Sequence, residues 1–152
     1  MRKTDEDWMI MALNFAHEAE KSGEVPVGAV IVGSDGGMIA TGYNQPITRS
    51  DPTAHAEIIA LRNAGQGLGN YRLNGCTIYT TVEPCAMCAG ALVNARISRL
   101  VYGARDERFG AVETHFRICD SEVLNHRMEV TGRIMEQDCR RLIQDFFRVR
   151  RA

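Results

Sequence analysis

Residues 76–103 read CTIYTTVEPCAMCAGALVNARISRLVYG, and this stretch decides the fold. The run CTIYTTV is rich in β-branched and aromatic residues and reads as a strand, as does RLVYG at the other end. Between them, Pro84 and Cys85 open a helix, CAMCAGALVNA. Strand, helix and strand in immediate succession predict a parallel βαβ unit.

Moving outward toward the N-terminus, VPVGAVIV (25–32) and MIATGY (38–43) flank GSDGG, whose glycines suit a tight reversal, so this segment is expected to be a β-hairpin. Near Asp5 to Ser22, Trp8, Ala12, Phe15 and Ala19 fall at helical spacing, with Thr4 or Asp5 as cap and Gly23 as stop. A loop, NQPITRSDPT, leads to a helix from about Ala54 with Ile58, Ile59 and Leu61 on its apolar face, and GQGLGNYRLNG ends it. Toward the C-terminus, residues 104–127 are expected to be mostly loop with one short helix. MEVTG and a final amphipathic helix carrying Cys139, Leu142, Ile143, Phe146 and Phe147 follow. These elements predict an α/β fold, one domain over residues 1–152, with helices covering a mixed sheet.

A chain of 152 residues, 45% of them apolar, can bury most of its apolar surface as one compact domain. The N-terminus is charged, and no apolar run approaches the length that spans a bilayer, so a cytoplasmic protein without a membrane partner is expected. Five cysteines, an odd number, favour metal binding or catalysis over a disulfide framework. The net charge of −1 hides an asymmetry, because residues 140–152 carry five arginines against Asp145 alone. That end is a local basic patch.

Cys85 and Cys88 stand one helical turn apart at a helix start, where the positive end of the helix favours the thiolates that a metal needs. A third donor is offered by His55 in DPTAHAEIIALRNAG (51–65). Two thiolates and one imidazole make three protein ligands for zinc and leave a fourth tetrahedral position for water, as in a catalytic site. Glu57, two residues beyond His55, is placed to act as general base on that water. Other readings weigh less. A redox CxxC is disfavoured by the intervening Ala86 and Met87, and a closed structural zinc site would draw on Cys119, Cys139, His115 or His126, none of which sits in a second paired motif. A nucleic-acid-binding module with structural zinc would have no use for an unligated Glu57.

HAE (55–57) followed by PCAMC (84–88) is the signature of zinc-dependent nucleobase and nucleoside deaminases. With EVPVGAVIV, NYRL, EPCAMCAGAL, YGARD, NHR and DFFRVRR, nearly the whole chain resembles the bacterial tRNA-specific adenosine deaminases, which convert the wobble adenosine, position 34 of the anticodon, to inosine. The resemblance implies a three-layer α/β/α fold around a mixed five-stranded sheet and one Zn2+ per subunit on His55, Cys85 and Cys88. Glu57 would be the proton shuttle. It further implies that Asn44 binds the base, that Asp106 lies near the ribose, and that Phe147, Arg148, Arg150 and Arg151 hold the tRNA anticodon stem-loop. Arg105, Arg108 and His126 are weaker candidates, and a homodimer is implied as well. A deaminase of free guanine, a cytosine compound or a nucleoside would share the zinc motifs. Residues 107–120 depart from the family pattern, with Phe109, Glu113, Thr114 and His115 in place of smaller residues.

Overall fold

The computed structural model describes residues 2–151, with the backbone alone described at Arg151. The first helix, α1 (Asp5–Lys21), starts with a capping box: Thr4 Oγ1 accepts from the Asp7 N–H while the Asp7 carboxylate accepts from the Thr4 N–H. Thr4 is therefore the cap, and Gly23, at φ 79°, follows the helix end. The strands β1 (Gly28–Val32) and β2 (Met38–Tyr43) form the expected antiparallel hairpin, reversing through Gly36 at φ 87°. A four-residue helix, α2 (Pro46–Arg49), interrupts the segment read as loop, and α3 (Ala56–Leu68) follows. Then β3 (Thr77–Val82), α4 (Ala86–Asn94) and β4 (Arg99–Ala104) build the parallel βαβ unit. Two elements, β5 (Glu129–Thr131) and α5 (Glu136–Arg151), complete the described chain.

The sheet runs β2-β1-β3-β4-β5, with β1 antiparallel to both neighbours and the β3-β4-β5 half parallel. Period-2 alternation along β1 divides the core into two layers. Ala29 and Ile31 pack with Ala56, Ala60 and Leu92 of α3 and α4, whereas Val30 and Val32 pack with Trp8, Ala12 and Leu142 of α1 and α5. The three-layer architecture is thus the one expected. Among the described residues no helix is long and apolar enough to cross a membrane.

One part of the sequence reading needs correction. No short helix forms between Ala104 and Glu129; the parallel crossover from β4 to β5 is made by turns alone. The basic end is helical, because α5 continues through Arg151.

Gly42 sets the height of α3 above the sheet. A Cβ there would lie 2.5 Å from the Ala56 carbonyl oxygen and 2.7 Å from the Ala60 nitrogen, both backbone atoms. Two buried carboxylates anchor the loops beside the C-terminal ends of β2, β3 and β4. Glu24 accepts from the N–H groups of Ile47 and Thr48 and from Thr48 Oγ1, at 2.7–3.2 Å, which fixes α2. Glu83, placed just after β3, accepts from the N–H groups of Asp106, Val112, Glu113 and Thr114 and from Thr114 Oγ1, at 2.6–3.1 Å. From β4, the Tyr102 hydroxyl donates to Glu113 Oε1. A coil without regular secondary structure is held by these charge-assisted bonds.

Because the obstructing atoms are helix backbone, Gly42→Ala is expected to cost about 3 kcal/mol and to lower Tm by roughly 6–12 °C. Gly67→Ala serves as the control: it lies in the same helix with nothing within 4 Å of the added Cβ, and should raise Tm. Equal Tm values for Gly42→Ala and wild type by differential scanning calorimetry would refute the seating of α3 on Gly42. Burial raises the Glu83 pKa, but the N–H donors outweigh it and hold the carboxyl below its ordinary value of 4.5. Its stabilisation is therefore complete above that value and disappears as pH falls through the lower folded value. Glu83→Gln should cost about 2 kcal/mol near neutrality, and its deficit in urea midpoints should shrink in acid; a deficit independent of pH would contradict the ionised anchor.

Candidate active site

Two helix starts meet beside the C-terminal end of β3, the central strand. His55 is the N-cap of α3 and Cys85 the N-cap of α4, and neither side chain caps its own helix. Asn44, just past β2, does that work for α3: its Oδ1 accepts from the Ala56 N–H at 3.2 Å. The imidazole is thereby left to point toward the cysteines, with His55 Nδ1 at 3.6 Å from Cys85 Sγ and 3.4 Å from Cys88 Sγ. The three donor atoms lie within 4.8 Å of one another. One imidazole nitrogen and two sulfurs converging in this way fit the donor preferences of zinc, and three donors leave a position open.

Electrostatics around the cluster are those of groups sharing too few protons. A hydrogen bond from the Cys88 thiol, helped by His55, brings the Cys85 thiol down to about 4. Cys88 is pushed up by the same bond and by its burial. The His55 pKa is raised, chiefly by its hydrogen bond with Cys85, against the effect of burial. Glu57, in the first turn of α3 and 4% exposed, is pushed up to about 7 by burial; its own backbone N–H and the neighbouring His55 oppose the rise.

Above this cluster opens a cavity of about 1170 Å³, lined by Asn44, His55, Glu57, Cys85, Asp106 and Phe147 among others. Every sequence-expected residue up to Asp106, and Phe147, is thus brought to one place. Phe146 is the core member of its pair and Phe147 the exposed one, edge-on to it. Asp106 is partly committed, since its Oδ1 accepts from the N–H groups of Arg108 and Phe109. Arg148 and Arg150 do not line the cavity. They turn to their own helix, Arg148 pairing with Asp145 at 2.9 Å and Arg150 lying over the Phe146 ring. The Arg151 side chain lies outside the described residues. His126 is taken up by a hydrogen bond to the Ile97 carbonyl.

Sequence reasoning missed Arg140, Ile143 and Gln144, which line the cavity with Phe147. Their spacing of three, four and seven places them on one face of α5, a signal that was available once the apolar face was subtracted. It also missed Glu83. A buried acid that organises a loop thirty residues away leaves no periodic trace.

Comparison with known proteins agrees with this geometry. Residues 2–104 match the family model for the cytidine and deoxycytidylate deaminase zinc-binding region. The chain is 48% identical over 147 residues to the tRNA-specific adenosine deaminase of Haemophilus influenzae, covering 97% of this chain and 85% of the relative. It is 41% identical to the protein of the same name from Bacillus subtilis, covering 95% and 89% respectively. Among solved structures, one from a study of A-to-I editing by tRNA:A34 deaminases superposes with a TM-score of 0.85 at 42% identity, over 89% of this chain and 97% of that one. The guanine deaminase of Bacillus subtilis gives 0.64 at 44% identity, over 68% and 66%. With its donor cluster at the paired helix starts and its match across the zinc-binding region, the chain belongs to the cytidine and deoxycytidylate deaminase family and is a zinc-dependent hydrolytic deaminase.

Proposed function

We propose that this protein, as one deaminase domain over residues 1–152, converts the wobble adenosine (position 34) of a tRNA anticodon to inosine and releases ammonia. One observation carries the choice of substrate. The cavity over Glu57 is lined toward solvent by Arg105, Arg108, Arg140, Phe109 and Phe147. Guanidinium groups and exposed aromatics suit a phosphate backbone with unstacked bases, not a free base. Such a substrate implies a cytoplasmic location.

His55, Cys85 and Cys88 would hold the zinc, one per subunit. Zinc bound there supplies Lewis acidity, which lowers the pKa of water toward neutrality. Glu57 is the proton shuttle: its buried carboxylate takes one proton from the attacking water and delivers it to the purine ring nitrogen, then takes the proton of the new C6 hydroxyl and delivers it to the departing amine. The C6–O bond forms first, and the C6–N bond breaks as the amine takes up its proton and leaves as ammonia. Asn44 has already used Oδ1 on the Ala56 N–H, so its amide N–H groups are the ones left to donate to ring nitrogen. Asp106 keeps Oδ2 for a ribose 2′-hydroxyl, which distinguishes RNA from DNA. Phe147 packs against the nucleotide, and Arg148, Arg150 and Arg151 meet backbone phosphates beyond the cavity.

The partner implied by family resemblance is a second copy of the chain. Its place would be the depression between α3 and α4 and residues 124–125, where Met87 and Leu124 are exposed beside Ile58. Sedimentation equilibrium should then report twice the chain mass, and a monomer at micromolar concentration would remove the dimer.

The deciding assay measures inosine in an anticodon stem-loop bearing wobble adenosine. Zinc-loaded wild type should produce it, while Glu57→Gln should be slower by about 10²–10⁴ with zinc content and RNA affinity retained. The identity to guanine deaminase over part of the chain gives the second reading its support. Xanthine from free guanine, with no inosine in RNA, would move the assignment there.

A further inference from the structure

Phe109 is 63% exposed at the cavity mouth, a costly place for a large aromatic ring unless something covers it in use. Its backbone is held in place. Its N–H and that of Arg108 both donate to Asp106 Oδ1 at 3.0 Å, and the Asp106 N–H is in turn bound by Glu83. The next residue locks the turn: the Gly110 N–H donates to the Asp106 carbonyl at 2.9 Å, and a Cβ on Gly110 would lie 2.5 Å from the Glu83 carboxyl. The Arg108 guanidinium stands 5.4 Å from the Phe109 ring centroid. A hydrogen-bonded turn therefore presents an exposed ring with a cation over it.

When a nucleotide is drawn out of its loop to the floor of the cavity, its chain neighbours lose their own stacking partners at the mouth. We propose that Phe109 is the stacking platform for a base adjoining the target nucleotide, with Arg108 beside it as the cationic partner of that base or its phosphate. The proposal rests on the RNA reading above and deepens it. A turn whose backbone is ordered in advance loses little main-chain freedom on binding, which leaves more of the stacking energy as affinity. Stacking of this kind tolerates any base, and Phe109 would strengthen binding without selecting sequence. A free base held at the floor would not reach it.

The test uses anticodon stem-loops with adenosine at the target position, intact or with a single abasic residue on its 5′ or 3′ side. Wild type, Phe109→Ala and Phe109→Trp are compared, each with measured zinc content and Tm. On the intact stem-loop, Phe109→Ala should raise KM roughly 5- to 150-fold, the range of one base–aromatic stack, with kcat almost unchanged. Phe109→Trp should restore the wild-type KM. With one of the two abasic stem-loops, wild type should fall to the level of Phe109→Ala, and the variant should lose nothing more. An unchanged KM for Phe109→Ala, or a penalty that persists on both abasic stem-loops, overturns the stacking contact while leaving RNA deamination in place. Failure of wild type to make inosine in any stem-loop overturns the RNA reading and the platform together.

Discussion

The structure depends on bringing one imidazole nitrogen to two sulfurs supplied from thirty residues further along the chain. Local spacing delivers only the Cys85 and Cys88 pair; the third donor has to come through the tertiary fold. The sheet order does this by laying α3 and α4 on the same face with their N-termini side by side. A metal site tolerates errors of about 0.2 Å in its ligand distances, so the height of α3 matters as much as its direction. Small residues control that height. Ala56, Ala60 and Ala64 recur at intervals of four along the buried side of α3, and Gly42 receives the helix backbone almost in contact. A larger side chain at any of these positions would lift His55 away from the sulfurs.

Three glutamates are buried, and their surroundings separate their roles. Burial raises the pKa of each. For Glu24 and Glu83, backbone and hydroxyl donors more than offset that effect, and both carboxyls are held below their ordinary value. They are anchors, ionised and saturated with hydrogen bonds. Glu57 has no such set of donors, and burial prevails. A carboxylate with all its lone pairs engaged cannot exchange protons without breaking the loop it holds, whereas Glu57 can do so at little structural cost. Chemistry and scaffolding are thus divided among residues of one type by their hydrogen-bond partners.

The same division explains what the sequence disclosed. The hairpin, the βαβ unit and α1 were legible because periodicity and turn residues are local signals. His55, Glu57, Cys85 and Cys88 were legible because metal chemistry restricts residue type and spacing. Residues 105–128 were legible as mostly loop, but the ordering of their turns was not. Their order comes from Glu83, Tyr102 and main-chain donors, a set of contacts that crosses elements and repeats nowhere. Apolar residues such as Ala111, Val112 and Cys119 are buried there and imitate a helix in composition while the backbone follows the carboxylate. The cavity-lining face of α5 was only partly legible for another reason: Ile143 and Phe147 were read with the apolar face, and Arg140 and Gln144 beside them carry no motif.

The match to the zinc-binding region ends at residue 104, yet Arg105, Arg108, Phe109, Arg140 and Phe147 at the cavity mouth all lie beyond it. Floor and mouth are therefore separate along the chain as well as in space. The floor is built on the α3 and α4 face of the sheet, while α5 packs on the opposite face and brings Phe147 to the rim from there. Substitutions on the turn at Phe109 or on the exposed face of α5 can alter what is bound without moving the metal donors. This arrangement gives a physical basis for zinc deaminases of different substrates sharing one floor: the reaction needs the same water and the same proton carrier, whereas selection acts on side chains that the metal geometry does not constrain.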